Sequence, residues 1–335
     1  IGSDRPETKL KYYLEKNGAD VGEYPESTLD LVYYPTDKIR VPVNKENVLK
    51  SGLVKEKDSA LIVDYIDIDL PGALAKNRIM MLDILANNDW ERPIYFSGGS
   101  FDDAEYLWMK DYLQLDGMAY KLVPIRTQNR SPFEMGRIDT DLMYEKVMNW
   151  EWGNSGSSEI YHDPQTRSQG LSLRSNLARL TEKLIEENKI DKAREVIDLA
   201  MTNMPLEYYG FYTFAEPFLD GYYKTGETMK ARALFEKLRT IYKDRLEYYE
   251  NVPLDQQYEQ IEDILADMEA YKRVIDIAIE NDDRELAEKE TQIFNEQLDK
   301  FGFYKDTFLD ELPEVPGLAP PPPTPVDSIA QYAID

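Results

Sequence analysis

The sequence predicts an α/β module followed by an all-α domain. Three observations carry this: strand-like and helix-like apolar patterns alternate from about residue 59, only long amphipathic patterns remain after Leu171, and one of those patterns recurs. The boundaries read as a small α/β domain over 1–125, an irregular connector over 126–170, a helical domain over 171–303 and a proline-rich tail over 304–335.

Taken in order, "RPETKLKYYLEKNG" reads as a short helix stopped by Gly18, and "LDLVYYP" and "KIRVPV" read as strands. Asn44 is placed to cap the short helix "KENVLKSG". Then come the strand "ALIVDYIDIDL", the helix "PGALAKNRIMMLDILANN", the strand "RPIYF", a helix over "DDAEYLWMKDYLQLDG" and the strand "AYKLVPI". Alternation of this kind favours an α/β layer with at least partly parallel strands. The connector is polar and carries one short helix, "DTDLMYEKVMNW", and the tail "PEVPGLAPPPPTPVDSIAQYAID" reads as extended.

In the helical half, "DKAREVIDLAMTNMP" and "MKARALFEKLRTIY" superpose with Ala193 over Ala231, Ile197 over Phe235 and Ala200 over Leu238; a third, poorer copy centres on Ala287. With Leu177, Leu180 and Leu184 ahead of Ala193 and Pro205 behind it, the pattern matches a tetratricopeptide-like helix pair, degenerate because the spacing is 38 and then 56 residues.

The chain of 335 residues holds 39 basic and 64 acidic side chains, a formal charge of −25, which repels polyanions and argues against nucleic acid as a partner. It contains no cysteine, so disulfides and thiolate chemistry are excluded. No uncharged apolar run approaches the roughly 18 residues that a membrane helix needs. The chain opens "IGSDRPETK", without an initiator methionine, as expected of a processed or excised piece.

Several constellations could carry chemistry. Asp67 and Asp69 have the aspartate-x-aspartate spacing that holds a divalent ion in many sugar-nucleotide transferases, but on a strand they share one face with Val63 and Tyr65, and a wet face accounts for them as well. Ser97, Gly98, Gly99 and Ser100 follow a strand and precede a helix, where backbone N–H groups can hold an anion; no lysine follows, Asp102 and Asp103 oppose an anion, and a plain turn is preferred. His162, the sole histidine, reads as a surface-loop residue rather than a general base. Asp83 interrupts a helix that is apolar nearly all round, so that helix is expected to be buried on most faces, with Arg78 or Arg92 as the partner of Asp83. Tyr208, Tyr212 and Tyr222 belong to the aromatic segment "LEYYGFYTFAEPFLDGYYKTG"; most such rings fill core, and some can line a groove for peptide or glycan. No cofactor is implied, and no catalytic residue is assigned.

"IRVPVNKENVLKSGLV", "NRIMMLDILANNDWERPIYF" and "DYLQLDGMAYKLVP", with the helices that follow, resemble the C-terminal soluble region of a bacterial polytopic membrane protein family grouped with GT-C-type glycosyltransferases and related to transmembrane protein O-mannosyltransferase. The resemblance spans about residues 38 to 300. It implies an extracytoplasmic accessory region on the periplasmic side of a bacterial membrane, tethered to a membrane-embedded half that carries the catalytic acid and uses a lipid-phosphate-linked sugar. By that reading this chain is non-catalytic by itself. Its helical repeats would hold a protein or glycan acceptor. The alternatives are a stand-alone interaction module and an enzyme with a site near Ser97–Ser100.

Overall fold

The computed structural model describes residues 9–29, 38–70, 76–96, 109–128 and 135–301. They fall into two compact units, Ile1–Glu151 and Trp152–Asp335. The division lies inside the stretch expected as a connector. Its short helix belongs to the first unit, and the first long helix starts at Pro164 rather than after Leu171. Of the strand expected over "LDLVYYP", Leu29 ends a short helix; the rest of it, the Ser97–Ser100 loop and the proline-rich tail lie outside the described residues.

In the first unit the described elements are α1 (Leu10–Lys16), α2 (Glu26–Leu29), β1 (Lys38–Pro42), α3 (Lys45–Lys50), β2 (Tyr65–Asp69), α4 (Lys76–Asn88), β3 (Tyr95–Phe96), β4 (Leu113–Asp116), β5 (Ala119–Leu122) and α5 (Thr140–Met148). The strands form two small sheets, β1-β2 and β3-β5-β4, and every strand pair is antiparallel. The expected parallel strands are absent among the described residues. A parallel pair needs a crossover helix with a broad apolar stripe, and α4 buries only Leu82 and Leu85, leaving Met80 and Ile84 more than half exposed. The expectation that this helix is buried nearly all round is thereby corrected. Asp83 stands exposed and accepts from the Asn87 side chain, not from an arginine.

The helix expected over "DDAEYLWMKDYLQLDG" is also corrected at its end. Leu113–Asp116 is a strand, joined to β5 by a turn at Gly117 and Met118. Gly117 has φ +83° and lies against the Trp150 ring. Leu113, Leu115, Leu122 and Val123 form the core here, closed by Met143 and Val147 of α5. On the other sheet Ile66 and Ile68 are buried while Tyr65, Asp67 and Asp69 face outward, as the alternation requires.

A clamp ties α4 to β1 and α3. Asp89 and Trp90 both have positive φ, 42° and 61°, a conformation that costs a non-glycine residue on the order of 1–3 kcal/mol. Side-chain bonds hold them there. Asn44 and Asn47 donate to the Asp89 carboxylate at 2.9 and 3.0 Å, and Asn47 also to its carbonyl. Ser51 donates to the Trp90 carbonyl, and the Trp90 indole N–H donates to the Pro42 carbonyl at 2.8 Å. Asn44 meanwhile caps α3 through the Asn47 N–H, as expected.

The second unit is helical: α6 (Pro164–Glu186), α7 (Ile190–Asn203), α8 (Leu206–Tyr209), α9 (Glu216–Lys224), α10 (Thr228–Glu250), α11 (Leu254–Glu259), α12 (Ile261–Glu280) and α13 (Arg284–Lys300). Three helical hairpins recur, α6–α7, α9–α10 and α12–α13, each closed by one left-handed residue: Asn188, Gly226 and Asp282. The same bond closes all three turns, from the N–H of Lys189, Glu227 and Asp283 to the carbonyl of Leu184, Tyr222 and Ala278. This is the helix-ending motif that satisfies orphan carbonyls. Five residues after each left-handed residue stands a buried alanine, Ala193, Ala231 or Ala287. The sequence repeat is therefore a repeat of hairpins, and its uneven spacing reflects α8, α11 and the differing helix lengths.

The left-handed position favours glycine. Asn188→Gly and Asp282→Gly are each expected to raise stability by roughly 0.5–1 kcal/mol, and Gly226→Ala to lower it by about 1 kcal/mol, in urea unfolding. Equal responses to alanine and glycine at these positions would contradict the shared turn.

Candidate partner-binding site

A groove of about 220 Å³ opens on the helical unit. Its apolar surface comes from Met201 of α7, Pro205 and Leu206 after it, and Ala233 and Leu234 of α10. Tyr222 of α9 contributes a ring and donates its hydroxyl to Asp198 at 2.9 Å. Burial first, and Asp198 second, push the Tyr222 hydroxyl well above its ordinary pKa, so it remains a donor and cannot serve as a base near neutrality. Two lysines stand on the rim, each already paired: Lys230 with Asp198 at 2.7 Å and Lys237 with Glu207 at 2.8 Å. An apolar floor with neutralised rim charges suits an apolar side chain or a sugar face rather than an anion.

Arg174 positions the segment that forms one wall. Its guanidinium lies fully buried in α6 and donates to the backbone carbonyls of Gly210, Met204, Pro205 and Phe211, the Met204 bond measuring 2.7 Å. Among the described residues no carboxylate forms an ion pair with it; carbonyl dipoles and the Tyr209 ring, 5.8 Å away, surround it instead. Burial pulls its pKa down to about 10, so it stays charged at neutral pH. The fork of donors fixes the chain between α7 and α9, where Phe211 takes a left-handed conformation.

A second polar site lies between α10 and α12. Asp267 is buried and paired with Arg245 at 2.9 Å, yet its second carboxylate oxygen and the nearby buried Tyr242 hydroxyl have no hydrogen-bond partner. Burial raises the Asp267 carboxyl to about 6, with Asp263 adding to the rise and Arg245 opposing it. In the first unit Asp116 is almost wholly buried and accepts from Gln114 at 2.7 Å, Lys146 at 2.9 Å and Tyr95 at 3.3 Å, with Lys121 at 3.2 Å. Burial alone would raise its carboxyl; Lys121, Gln114 and Lys146 outweigh that and hold it below the usual range. A carboxylate so buried and so heavily paired is accounted for by structural work.

The three tyrosines singled out from sequence are not brought together. Tyr222 lines the groove, Tyr208 stacks on His162 at 5.0 Å, and Tyr212 meets Tyr242 edge-on at 6.4 Å. His162 is buried rather than on the surface, its Nε2 2.7 Å from the Ser155 carbonyl. Asp67 is taken bidentately by Arg40, at 2.7 and 2.9 Å, and Asp69 by Lys38 at 3.3 Å. Among the described residues no cluster of three or more metal-ligating side chains occurs, and no described helix is long and apolar enough to cross a membrane. Ser97, Gly98 and Gly99 lie outside the described residues. Sequence reading missed Arg174, whose only signal is a cation inside an otherwise amphipathic helix.

Residues 1–142 match the family model described as TMEM260-associated domain 2. The match covers the first unit as far as α5 and leaves the helical unit outside it. No curated protein and no solved structure matches the chain.

Arg174→Met is expected to cost about 3 kcal/mol, because several buried carbonyls lose a charged donor, and to speed hydrogen exchange over residues 204–211. Asp267 gives a pH signature. Its folded pKa, about 6, exceeds the ordinary aspartate value of 3.8, so the folded state binds the proton more tightly. Its contribution is most favourable at acid pH and is lost as pH rises through about 4 to 6. Asp267→Asn is expected to remove about 2 kcal/mol of that fall, measured by unfolding at pH 4 and pH 7.

Proposed function

We propose, from the match of residues 1–142 to TMEM260-associated domain 2, that the chain is a non-catalytic accessory region of a TMEM260-like membrane protein. In this reading the parent is a glycosyltransferase of the GT-C kind using a lipid-phosphate-linked sugar. The two units lie on the periplasmic side, beside its membrane-embedded half. The helical hairpins, read as degenerate tetratricopeptide-like pairs, hold a protein or glycan acceptor at the Tyr222 groove.

The family match carries the accessory role. The groove supports the holding role because it is apolar, partly pre-formed by the Arg174 anchor and rimmed by charges already paired. The saturated carboxylates Asp67 and Asp116 support a chain that does not itself transfer sugar.

The test uses the whole reading frame. Upstream of Ile1 it is expected to encode several apolar spans, and an alkaline phosphatase fused after residue 301 is expected to be active. Within that protein Ala233→Trp fills the groove from an exposed position and is expected to lower transfer to a protein acceptor by about tenfold, roughly the worth of one good apolar contact, with unfolding unchanged. A frame without apolar spans, or full transfer by the Ala233→Trp protein, overturns the corresponding half of the proposal.

A further inference from the structure

β1 is paired on one side only among the described strands. The Val43 N–H donates to the Asp64 carbonyl at 2.9 Å. With the register Val41 to Ile66 and Ile39 to Ile68, that parity turns the polar backbone of residues 39, 41 and 43 toward β2 and that of Arg40 and Pro42 away from it. Pro42 has no N–H to offer on the outer edge, which is where a strand tolerates proline. Its carbonyl already accepts from Trp90. Arg40 is left with an N–H and a carbonyl that no described backbone group meets.

That edge borders a groove of about 390 Å³ whose opposite wall is α4, within the range of about 300–1,000 Å³ found for ligand clefts. Ile39 and Val41 on the strand and Leu82, Leu85 and Ala86 on the helix supply the apolar surface, and Trp90 closes one end. The clamp at Asp89 and Trp90 sets the spacing between strand and helix. A strand edge facing a helix across an apolar cleft is the geometry in which an extended peptide adds as a further strand.

The charges identify the occupant. Arg40 borders the groove, but its guanidinium is committed to Asp67 and lies 3.6 Å over the Tyr65 ring. Among the described residues the Asp83 carboxylate accepts from the Asn87 amide and the Asp89 carboxylate from the amides of Asn44 and Asn47. No cation among the described residues pairs with either carboxylate. The groove therefore carries uncompensated negative charge. A second copy of this chain is disfavoured as the occupant, because each copy carries a formal charge of −25 and like charges repel.

We infer that the β1–α4 groove binds an extended segment of another protein by strand addition at Arg40, with apolar side chains in alternate positions and a lysine or arginine against Asp83. This rests on the first unit alone and is independent of any membrane-embedded half.

The probe is acetyl-Thr-Val-Lys-Val-Thr-amide, titrated into the ¹⁵N-labelled chain. Saturable shifts at the Arg40 amide and the Trp90 indole are expected, with exchange of the Arg40 amide slowed about tenfold at saturation, the amount that one backbone hydrogen bond contributes. Arg40→Ala keeps the backbone donor and is expected to retain binding; Arg40→Pro removes the donor at an outward position and is expected to abolish it. The Trp90 indole resonance and the unfolding temperature of each variant report that the fold is intact. Asp83→Asn is expected to weaken the lysine peptide about threefold and to leave a Thr-Val-Gln-Val-Thr peptide unchanged, as a part-exposed charge pair would. Four outcomes overturn the inference: no saturable shift, equal binding by Arg40→Ala and Arg40→Pro, an Arg40 amide already protected without peptide, or protection that grows with protein concentration alone.

Discussion

Cations are the scarce resource of this chain, and their placement is the constraint on which both units depend. With 39 bases for 64 acids, a carboxylate can enter the interior only where a base is at hand to offset its lost hydration. Among the described residues the buried acids obey this. Asp116 has Lys121 and Lys146, Asp139 has Lys57, Asp267 has Arg245, Asp283 has Arg232, and Glu290 lies 3.8 Å from Arg239. Asp116–Lys121 closes the β4–β5 hairpin, and the other pairs join elements distant in sequence: Lys57 precedes β2 and Asp139 caps α5; Arg232 lies on α10 and Asp283 precedes α13. The pairs act as registration pins more than as sources of net stability, because burying two charges returns little of what their desolvation costs.

Arg174 is the exception that shows how the constraint is met where no acid among the described residues is in ion-pair contact. Its charge is solvated by four backbone carbonyls, and those carbonyls belong to the irregular segment that separates the first hairpin from the second. A repeat of uneven spacing needs such a device. Helical hairpins satisfy their own backbone groups, but an insertion between them has carbonyls that a buried guanidinium can gather. The groove at Pro205, Leu206 and Tyr222 is a consequence, formed where the gathered segment meets α9 and α10.

What could be read from sequence was local or periodic. The alternation in "DYIDIDL", the Asn44 cap and the alanine-centred repeat are all patterns within a few turns of chain, and the structure places each as expected. The failures have physical causes. "YLQLDGMAYKLV" continues an acidic, helix-like run, and Gly117 at the first position of the two-residue turn Gly117–Met118, between apolar strands, is the hairpin signal that outweighs it. Helix α4 is apolar by composition, yet composition cannot say that Met80 and Ile84 stay more than half exposed. The β1–α4 groove was invisible because its two walls are joined by side-chain bonds from Asn44, Asn47 and Trp90, and no periodicity reports a bond between distant segments. "IRVPVNKENVLKSG" and "NNDWERPIYF", which stood out as separate blocks, are the two halves of that clamp.

The same excess of acid that complicates folding also selects partners. A formal charge of −25 gives a broad negative potential that favours the approach of basic chains and disfavours acidic ones, an effect on encounter rate more than on affinity. Discrimination at contact requires a local difference, and the two grooves provide opposite ones. Lys230 and Lys237 are neutralised at the rim of the helical groove, so a ligand there is chosen by shape and apolar area. Asp83 and Asp89 stand without a cation among the described residues of the β1–α4 groove, so a ligand there is expected to bring one. Because salt screens exposed charges within about 8–10 Å, the two proposed sites are expected to differ in a measurable way: peptide binding at the β1–α4 groove is expected to weaken as salt rises, and binding at the Tyr222 groove, whose apolar contacts carry no net charge, to stay unchanged.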